Sequence, residues 1–270
     1  MDGVLAVVGT GRMGEAVLGG LLGAGVLTPE QVVCADPVRP RREEVHRRYG
    51  VEVTADTASA IDGADVVLVA VKPQVLGDLL RREAASFTAE QTVLSIVAGV
   101  PTSTFEAALP EGIAVVRVMP NTPAQIGAGV SALCAGRHAS EADLAIAEDV
   151  FSAVGSVLRV PEEQLDAVTA ISGSGPAYVF LFAEALIDAG VLLGLGRPEA
   201  TELAVGTLLG SARLLAESDE GPTALKEAVT SPGGTTIAAL RELERGGLRA
   251  AVFDATQASA RRAGELADPA

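Results

Sequence analysis

The feature that most constrains the fold of this 270-residue chain is a glycine motif placed directly after its first apolar run. The run Val4–Val8 is continuous, as is typical of a strand that is buried on both faces of a sheet. Gly9, Gly11 and Gly14 follow it with the spacing G-x-G-x-x-G, and the residues after them predict a helix. A strand, a glycine-rich turn and a helix in this order form the fingerprint of a dinucleotide-binding unit. We therefore expect the chain to begin with a doubly wound α/β sheet.

Apolar runs and helical segments alternate along the first 160 residues. After the first strand, further strands are predicted over 31–35, 51–53, 64–71, 92–97, 113–118, 130–134 and 156–160. Beyond residue 160 no segment predicts a strand, and helices are predicted over 165–193, 198–217, 222–229, 233–245 and 248–267. The pattern predicts a Rossmann domain with a parallel sheet over residues 1–160 and an all-helical domain over residues 161–270.

The helical domain carries more apolar surface than its own helices can bury. The segment 178–186, YVFLFAEAL, is apolar on more than one side, and a helix of this kind must be buried. We therefore expect two copies of the chain to dimerise through this domain. The longest predicted helix, 165–193, is interrupted by the segment SGSGP at 172–176, which we interpret first as a structural break and second as a ligand contact.

Composition limits the partners and the compartment. The chain has 35 acidic and 20 basic residues and a formal net charge of −15, so nucleic acids and anionic membranes are poor partners. Apolar runs such as 65–71 are too short to span a membrane, and the N-terminus lacks the basic region of a signal peptide. Cys34 and Cys134 are the only cysteines, and His46 and His138 are the only histidines. We therefore expect no disulfide framework, no metal site and a cytoplasmic location.

A second anion-binding segment is predicted at residues 231–236, SPGGTT. We interpret it as the start of a helix, with Pro232 in the first turn, where its missing N–H has no cost. Gly233 and Gly234 allow a ligand to approach the backbone, and Thr235 and Thr236 add hydroxyl groups beside the N–H groups. The N-terminus of a helix favours a carboxylate or a phosphate. Two such sites in one chain indicate two ligands, a cofactor and a substrate.

Residues of both charges follow the second strand, and they leave the choice between NADH and NADPH open. Asp36 ends that strand, where an acidic side chain binds the ribose hydroxyl groups and repels a 2′-phosphate, which favours NADH. Arg39, Arg41 and Arg42 follow, and arginine binds a phosphate through paired hydrogen bonds, which favours NADPH. For Arg42 and the basic residues beyond it we instead expect a solvent-exposed helix face.

Residues at the carboxyl ends of the central strands are expected to line the rest of the cofactor crevice. Only Lys72 and Lys226 among the 20 basic residues are lysines, and this rarity indicates a specific role for Lys72. The alternative is a charge at the end of the strand that only reaches solvent. Asn121 lies between two nearby prolines and either contacts the cofactor or ties down its loop. The predicted cofactor residues are Gly9, Thr10, Gly11, Arg12, Met13, Gly14, Asp36, Arg39, Thr57, Ala70, Val71, Lys72, Pro73, Ala98, Gly99 and Asn121.

Six segments, spread over nearly the full chain, carry a resemblance to a known family: GTGRMGEAVLGGLL (9–22), ADVVLVAVKPQ (64–74), SIVAGV (95–100), RVMPNTPAQIGAGVSAL (117–133), AVTAISGSGPAYVF (167–180) and VTSPGGTTIAAL (229–240). Together these six segments resemble the pyrroline-5-carboxylate reductase family. The last two, in this order and spacing, are specific to that family. The resemblance implies reduction of the cyclic imine Δ1-pyrroline-5-carboxylate to L-proline with NADPH or NADH, the last step of proline synthesis. It also implies a Rossmann domain, helices that interlock in a homodimer, active sites at the subunit boundary, and larger assemblies such as a ring of dimers.

The resemblance also assigns roles to individual residues. The implied substrate-binding residues are Ser231, Gly233, Gly234, Thr235, Thr236 and Glu162. Backbone N–H groups from Gly234 to Thr236 would bind the substrate carboxylate, with Ser231 shaping the turn. Glu162 lies where some members place an acidic residue near the substrate. The Thr236 hydroxyl would hydrogen-bond the imine nitrogen, which makes Thr236 the predicted catalytic residue.

Two other functions fit parts of the sequence. A 3-hydroxyacid dehydrogenase also pairs a Rossmann domain with helices, but that class places a catalytic lysine on the long interdomain helix, and 165–193 contains no lysine. A dinucleotide-sensing scaffold without turnover would keep the glycine motif and would have no need of residues 231–236. One departure from the family concerns Asp36, where a small or hydroxylic residue is frequent. The acid argues against strict use of NADPH.

Overall fold

Residues 3–267 are described by a computed structural model, in which eight strands form a single sheet. The strands are β1 (Leu5–Val8), β2 (Val32–Ala35), β3 (Glu52–Thr54), β4 (Val66–Val69), β5 (Thr92–Ser95), β6 (Ala114–Met119), β7 (Gly129–Ala135) and β8 (Gly155–Arg159). Their order across the sheet is β3-β2-β1-β4-β5-β6-β7-β8. The first six strands run parallel, which confirms the predicted Rossmann sheet with its reversal of strand order beside β1.

The strand β7 departs from the predicted parallel arrangement. It pairs antiparallel to β6, with Cys134 opposite Arg117, and β8 then pairs parallel to β7. The connection from β6 to β7 contains only a short 3₁₀ turn, Thr122–Ile126. A connection of this length returns the chain beside the strand that it has just left, because a parallel neighbour needs a longer crossover. The sheet is therefore parallel in its first six strands and becomes mixed where β7 pairs with β6.

Most connections between the strands are helical. These helices are α1 (Arg12–Gly23), α2 (Arg39–Tyr49), α3 (Thr57–Ile61), α4 (Pro73–Glu83), α5 (Thr102–Ala108) and α6 (Glu141–Ser152), with 3₁₀ turns at Pro29–Gln31 and Ala84–Ser86. After a 3₁₀ turn at Glu162–Gln164, the helices are α7 (Leu165–Val168), α8 (Gly175–Leu192), α9 (Arg197–Glu217), α10 (Pro222–Ala228), α11 (Thr235–Arg245) and α12 (Leu248–Ala267). The described residues after Arg159 contain no strand, which confirms the all-helical second part.

Two apolar clusters cover the two faces of the sheet. The strand β1 is fully buried, and its side chains alternate between the clusters: Leu5 and Val7 pack in the cluster that contains α1, whereas Ala6 and Val8 pack in the cluster that contains Phe105. Neither face of the strand meets water, which explains why its sequence is continuously apolar. The carboxyl ends of the parallel strands open on one edge of the sheet, where ligands bind in this architecture.

The long helix predicted over 165–193 is interrupted, as expected. The interruption is a π-helical turn, Thr169–Gly173, between α7 and α8. A Cβ on Gly173 would lie 2.5 Å from the Cε at the flexible end of Met119, so this turn lies next to the end of β6. The π-helical turn agrees with the first interpretation, a structural break, and a ligand contact stays a prediction.

Residue contacts divide the chain into two compact units. One contains the described residues up to Ser174 and those from Ser259 to residue 267, and the other contains Gly175–Ala258. The last strand ends at Arg159, close to the boundary predicted after residue 160, but the first unit also includes α7 and the end of α12. The domain boundaries 1–160 and 161–270 stay a prediction.

The second unit combines close helix packing with exposed apolar side chains. A Cβ on Gly190 of α8 would lie 2.9 Å from the Cβ of Ala200 on α9, so small residues allow these helices to approach. On the outside of α8, Phe180 and Leu181 are each 66% exposed. The helical segment Glu162–Leu192 is long and apolar enough to cross a membrane by length and composition alone, a criterion that core helices of soluble proteins also meet.

Candidate cofactor and substrate sites

The glycine turn between β1 and α1 has the geometry that the fingerprint requires. Gly9 adopts a φ of +95°, and a Cβ there would lie 2.9 Å from the Ala70 carbonyl oxygen. A Cβ on Gly14 would clash with the Gly9 carbonyl oxygen, so this glycine lets α1 approach the turn. Gly11 is the exposed N-cap of α1, and a Cβ on it would meet no described atom within 4 Å. The turn therefore leaves space for a pyrophosphate at the N-terminus of α1.

Asp36 lies directly beside this turn. One of its carboxylate oxygens accepts hydrogen bonds from the Thr10 N–H at 3.0 Å and the Thr10 hydroxyl at 2.8 Å, and the other accepts from the Val38 N–H at 2.9 Å. A carboxylate has about four acceptor positions, so about one remains for a ribose hydroxyl. Asp36 thus holds the glycine turn and also presents negative charge where adenosine ribose binds in this fold.

Arg41 is engaged within the chain. Its guanidinium donates to the Thr10 carbonyl at 2.6 Å and forms ion pairs with Glu15 at 2.5 Å and Glu44 at 2.9 Å. Burial raises the pKa of Glu15, but the hydrogen bond and the charge of Arg41 outweigh burial, so that pKa lies below its usual value. A 2′-phosphate would have to compete with these carboxylates for Arg41.

Arg39 and Arg42 have different surroundings although they are three residues apart. Arg39 is 81% exposed at its side chain and pairs with Glu43 at 2.8 Å on the surface of α2. Arg42 is half-buried and donates to the Asp36 carbonyl at 2.7 Å, so the predicted solvent-exposed face is wrong for this residue. Side chains in the first turn of a helix point back toward its N-terminus, which brings Arg42 to the end of β2.

The predicted cofactor residues all follow the carboxyl ends of parallel strands. Residues 9–14 follow β1, Asp36 and Arg39 follow β2, Thr57 follows β3, residues 70–73 follow β4, Ala98 and Gly99 follow β5, and Asn121 follows β6. The fold therefore brings this set to one edge of the sheet. Thr10 is 1% exposed, whereas Arg12, Lys72 and Ala98 are exposed.

Lys72 and Pro73 form the start of α4 at this edge. Lys72 is the N-cap, and Pro73 occupies the first helical position, where its missing N–H has no cost. A cation at the N-terminus of a helix opposes the helix dipole. An anionic group bound beside Lys72 would offset that repulsion.

Asn121 ties its loop to neighbouring structure. Its amide nitrogen donates to the Ser172 carbonyl at 3.2 Å, and its amide oxygen accepts from the Val130 N–H at 2.9 Å. The residue is 8% exposed. Both ends of the amide are used within the chain, in line with the second interpretation of this residue, and a cofactor contact stays a prediction.

The predicted substrate segment 231–236 forms a turn that leads into α11. The Gly234 N–H donates to the Ser231 carbonyl at 3.0 Å, and Gly233 adopts a φ of +68°. The helix begins at Thr235 with Gly234 as its N-cap, so the prediction that Pro232 lies in the first helical turn is wrong. The left-handed backbone at Gly233 is incompatible with a right-handed helix that starts before it.

The start of α11 presents backbone donors beside a cavity. Thr235 and Thr236 occupy the first two helical positions, where N–H groups have no acceptor within the helix. The Gly234 N–H is already used in the turn. A cavity of about 810 Å³ lies beside the turn, and it is lined by two basic residues, Lys226 and Arg241, and by two acidic residues, Glu227 and Glu244. None of these four residues was predicted from the sequence, and the one signal was the rarity of lysine.

Glu162 is bound to residues of the first unit. Its carboxylate accepts from the Thr102 N–H and the Thr102 hydroxyl, both at 2.8 Å, and from the Arg117 guanidinium at 3.0 Å. Burial raises the pKa of Glu162, but the bonds from Thr102 and Arg117 outweigh burial, so that pKa lies below its usual value. The predicted substrate turn belongs to the second unit, whereas Glu162 and its partners belong to the first.

Comparison with known proteins covers both parts of the chain. Residues 4–99 match the family model described as NADP oxidoreductase coenzyme F420-dependent, and residues 162–266 match that described as pyrroline-5-carboxylate reductase dimerisation. A pyrroline-5-carboxylate reductase of Mycobacterium tuberculosis is 48% identical over an alignment that covers 97% of this chain and 96% of that protein. The chain belongs to the pyrroline-5-carboxylate reductase family.

Solved structures of the family have the same fold. A pyrroline-5-carboxylate reductase from Coxiella burnetii superposes with a TM-score of 0.93 at 35% identity and covers 99% of this chain and 100% of that one. A Plasmodium falciparum pyrroline carboxylate reductase with NADP bound gives a TM-score of 0.89 at 29% identity, with 99% of both chains covered. These comparisons confirm the predicted family and the predicted order of a Rossmann region and a helical region.

Proposed function

We propose that this chain reduces Δ1-pyrroline-5-carboxylate to L-proline with hydride from NADPH or NADH, as the last step of proline biosynthesis. Membership of the family supports the reaction. The observation that carries the proposal is the presence of two helix starts suited to anions, at Gly11 on α1 and at Thr235 on α11. The first suits a pyrophosphate and the second suits the carboxylate of a small substrate.

Imine reduction asks for little acid–base chemistry from the protein. An imine can take up a proton before the hydride arrives, whereas a carbonyl needs an acid to protonate the developing alkoxide. Bound NADPH or NADH supplies the hydride, and the chain holds and orients the imine. A chain with only two histidines is compatible with this division of labour.

The substrate carboxylate is assigned to the start of α11. The N–H groups of Thr235 and Thr236 donate to it at the positive end of the helix dipole. Gly234 contributes no donor, because its N–H is used in the turn. Its lack of a side chain leaves room for the Ser231 hydroxyl, which a Cβ would meet. The Thr236 hydroxyl orients the imine nitrogen and is the proposed catalytic group.

The cofactor is assigned to the carboxyl edge of the sheet. The pyrophosphate lies at Gly11 and the adenosine ribose at Asp36, so the loops after β4, β5 and β6 serve the nicotinamide half. The charge of Asp36 and the internal ion pairs of Arg41 favour NADH over NADPH.

The assembly is a homodimer formed through the helical unit. Its exposed apolar side chains support this interface, and their burial would account for the apolar segment Glu162–Leu192 without a membrane. We also propose that the dimers can form rings and that the protein is cytoplasmic. The proposal includes no nucleic-acid partner, which the net charge of −15 supports.

A steady-state assay of the purified protein with pyrroline-5-carboxylate against NADH and NADPH tests the proposed function. We expect substrate-dependent oxidation of the cofactor and one L-proline formed for each cofactor oxidised. Gly11→Asp should abolish activity and leave the fold intact, because it places a carboxylate at the pyrophosphate position in open space. Oxidation without proline, or full activity of Gly11→Asp, would contradict the proposal. Cofactor binding without turnover would identify a dinucleotide sensor instead.

A further inference from the structure

Glu162 is bound to the first residue of α5 through both carboxylate oxygens. One oxygen accepts from the Thr102 hydroxyl, and the other accepts from the Thr102 N–H and from Arg117. Thr102 is 5% exposed and Arg117 is 8% exposed, whereas the Glu162 side chain is 30% exposed, so the guanidinium is shielded from water and its partner carboxylate is shielded only in part. Removal of the Glu162 charge would leave the guanidinium of Arg117 buried and unpaired.

The loop 96–101 ends at Thr102. It starts at the carboxyl end of β5, on the half of the sheet that serves nicotinamide when adenosine lies beside β2. Its local hydrogen bonds are long, at 3.3 Å from the Val97 N–H to the hydroxyl of Ser95 at the end of β5 and 3.4 Å from the Val100 N–H to the Val97 carbonyl. The shape of the loop therefore depends on what holds it from outside.

The end of α12 covers the same loop. Gly99 has a φ of +73°, and a Cβ on it would lie 3.3 Å from the Leu266 Cβ. Leu266 and Glu162 stand at opposite ends of the segment 162–266, which matches the dimerisation model. The two ends of that segment thus reach the loop region, with Leu266 beside Gly99 and Glu162 bound to Thr102.

We propose that Glu162 is a positioning residue for hydride transfer, because its contacts with Thr102 and Arg117 hold the loop 96–101 in the shape that the nicotinamide half of the cofactor requires. The inference rests on the proposed function, which assigns this loop to nicotinamide. Hydride transfer depends strongly on distance, and a displacement of about 1 Å can cost roughly a hundredfold in rate. In this role Glu162 acts through the loop, in contrast to the substrate contact that the family resemblance implies.

Glu162→Gln tests this role, because it removes the charge and keeps the size. We expect kcat to fall by about tenfold, with KM for the cofactor within about threefold of the original value. The primary isotope effect with 4-deuterated NADH should increase, because hydride transfer becomes slower relative to the other steps. The fluorescence of bound NADH should change, whereas the affinity for ADP-ribose, which probes the adenosine half alone, should not. Glu148→Gln is the matched control, since it removes a partly exposed ion pair with Arg159 and should leave every readout unchanged.

Thr102→Val provides a second variant that keeps the shape of the side chain and removes only the hydroxyl donor. It should change the isotope effect and the NADH fluorescence in the same direction as Glu162→Gln, but to a smaller extent. If Glu162→Gln fails to fold, Thr102→Val tests on its own whether this contact positions the loop. Unchanged isotope effect and fluorescence in the folded variants would overturn the proposal, as would a loss of kcat that only follows the folded fraction. If the original chain forms no proline, the proposed function fails, and NADH fluorescence still tests whether Glu162 positions the loop.

Discussion

The two compact units use apolar side chains in different ways. In the sheet-containing unit, Phe105 and Phe151 are fully buried, and no buried side-chain polar atom among residues 3–267 lacks a hydrogen bond. In the helical unit, Phe180 is 66% exposed and Phe253 is 63% exposed. Large apolar side chains that are exposed on the same unit mark an interaction surface. The first unit is stabilised by its own core, whereas the second needs a partner surface, which we assign to a second copy of the chain.

The largest effect is expected from Phe180→Glu, which places a charge in the proposed dimer interface. We expect dimers to dissociate and activity to disappear, as measured by sedimentation and by the proline assay. Ile126 is 82% exposed in the first unit, so Ile126→Glu should leave the dimer intact. Persistent dimers of Phe180→Glu would show that the interface lies elsewhere.

Phe151→Ala and Phe253→Ala compare how the free energy of unfolding of each unit depends on protein concentration. Phe151 is fully buried, so its truncation should lower the free energy of unfolding by about 3–5 kcal/mol at every protein concentration. Phe253→Ala, in the helical unit, should give a loss that shrinks as the protein is diluted below the dissociation constant of the original dimer, because the interface no longer stabilises either protein once both are monomeric. Urea titrations at several protein concentrations measure both effects. Equal concentration dependence in the two variants would contradict the contrast between the units.

Thr236→Val tests the chemistry assigned to the helical unit. It removes the hydroxyl and keeps the shape, so kcat should fall by about 10- to 100-fold, while KM for the cofactor stays the same. Thr235→Val is the matched control on the neighbouring residue, where the proposal uses the backbone N–H alone. Unchanged turnover in Thr236→Val would remove its hydroxyl from the mechanism.

Asp36→Ser tests the chemistry assigned to the sheet-containing unit. Loss of the carboxylate should shift the preference toward NADPH by about 1–2 kcal/mol, or about 5- to 30-fold in the ratio of the two kcat/KM values. Asp36→Asn removes the charge with little change in size and separates electrostatics from shape. Arg39→Ala in the Asp36→Ser background should reverse part of the gain, because Arg39 is the exposed member of the three arginines. An unchanged ratio would place Asp36 away from the ribose.

The smallest expected effect is a dependence of the free energy of unfolding on pH, and it comes from partly buried carboxylates of the first unit. Burial raises the pKa values of Glu162 and Asp143, but their hydrogen bonds outweigh burial and lower both pKa values. Such groups stabilise the folded state above their unfolded pKa, and this contribution is lost as pH falls through the folded pKa. The free energy of unfolding should therefore fall as pH decreases from about 5 toward 3. Urea titrations should show a shallower dependence in Glu162→Gln, and an identical slope would contradict the assignment.

Local patterns predicted the fold well because their causes are local. The run Val4–Val8 and the glycines after it predicted β1 and the turn into α1, and the structure confirms both. The errors occur where neighbours in space decide. Arg42 reaches back to the end of β2, and β7 turns antiparallel because its connection is short. The exclusion of Pro232 from α11 follows from the left-handed turn at Gly233, which the pattern SPGGTT leaves undetermined.

The sequence by itself determined the glycine turn, the doubly buried first strand, the strand-free second part and the anion-suited segment at 231–236, because each depends on the steric and polar character of adjacent residues. The tertiary structure alone decided what surrounds the candidate functional residues. Glu162 meets Thr102 and Arg117, which are 60 and 45 residues away along the chain. A contact between residues so far apart in the sequence depends on the path of the whole chain, since strand order and crossover connections determine which loop an acidic side chain reaches.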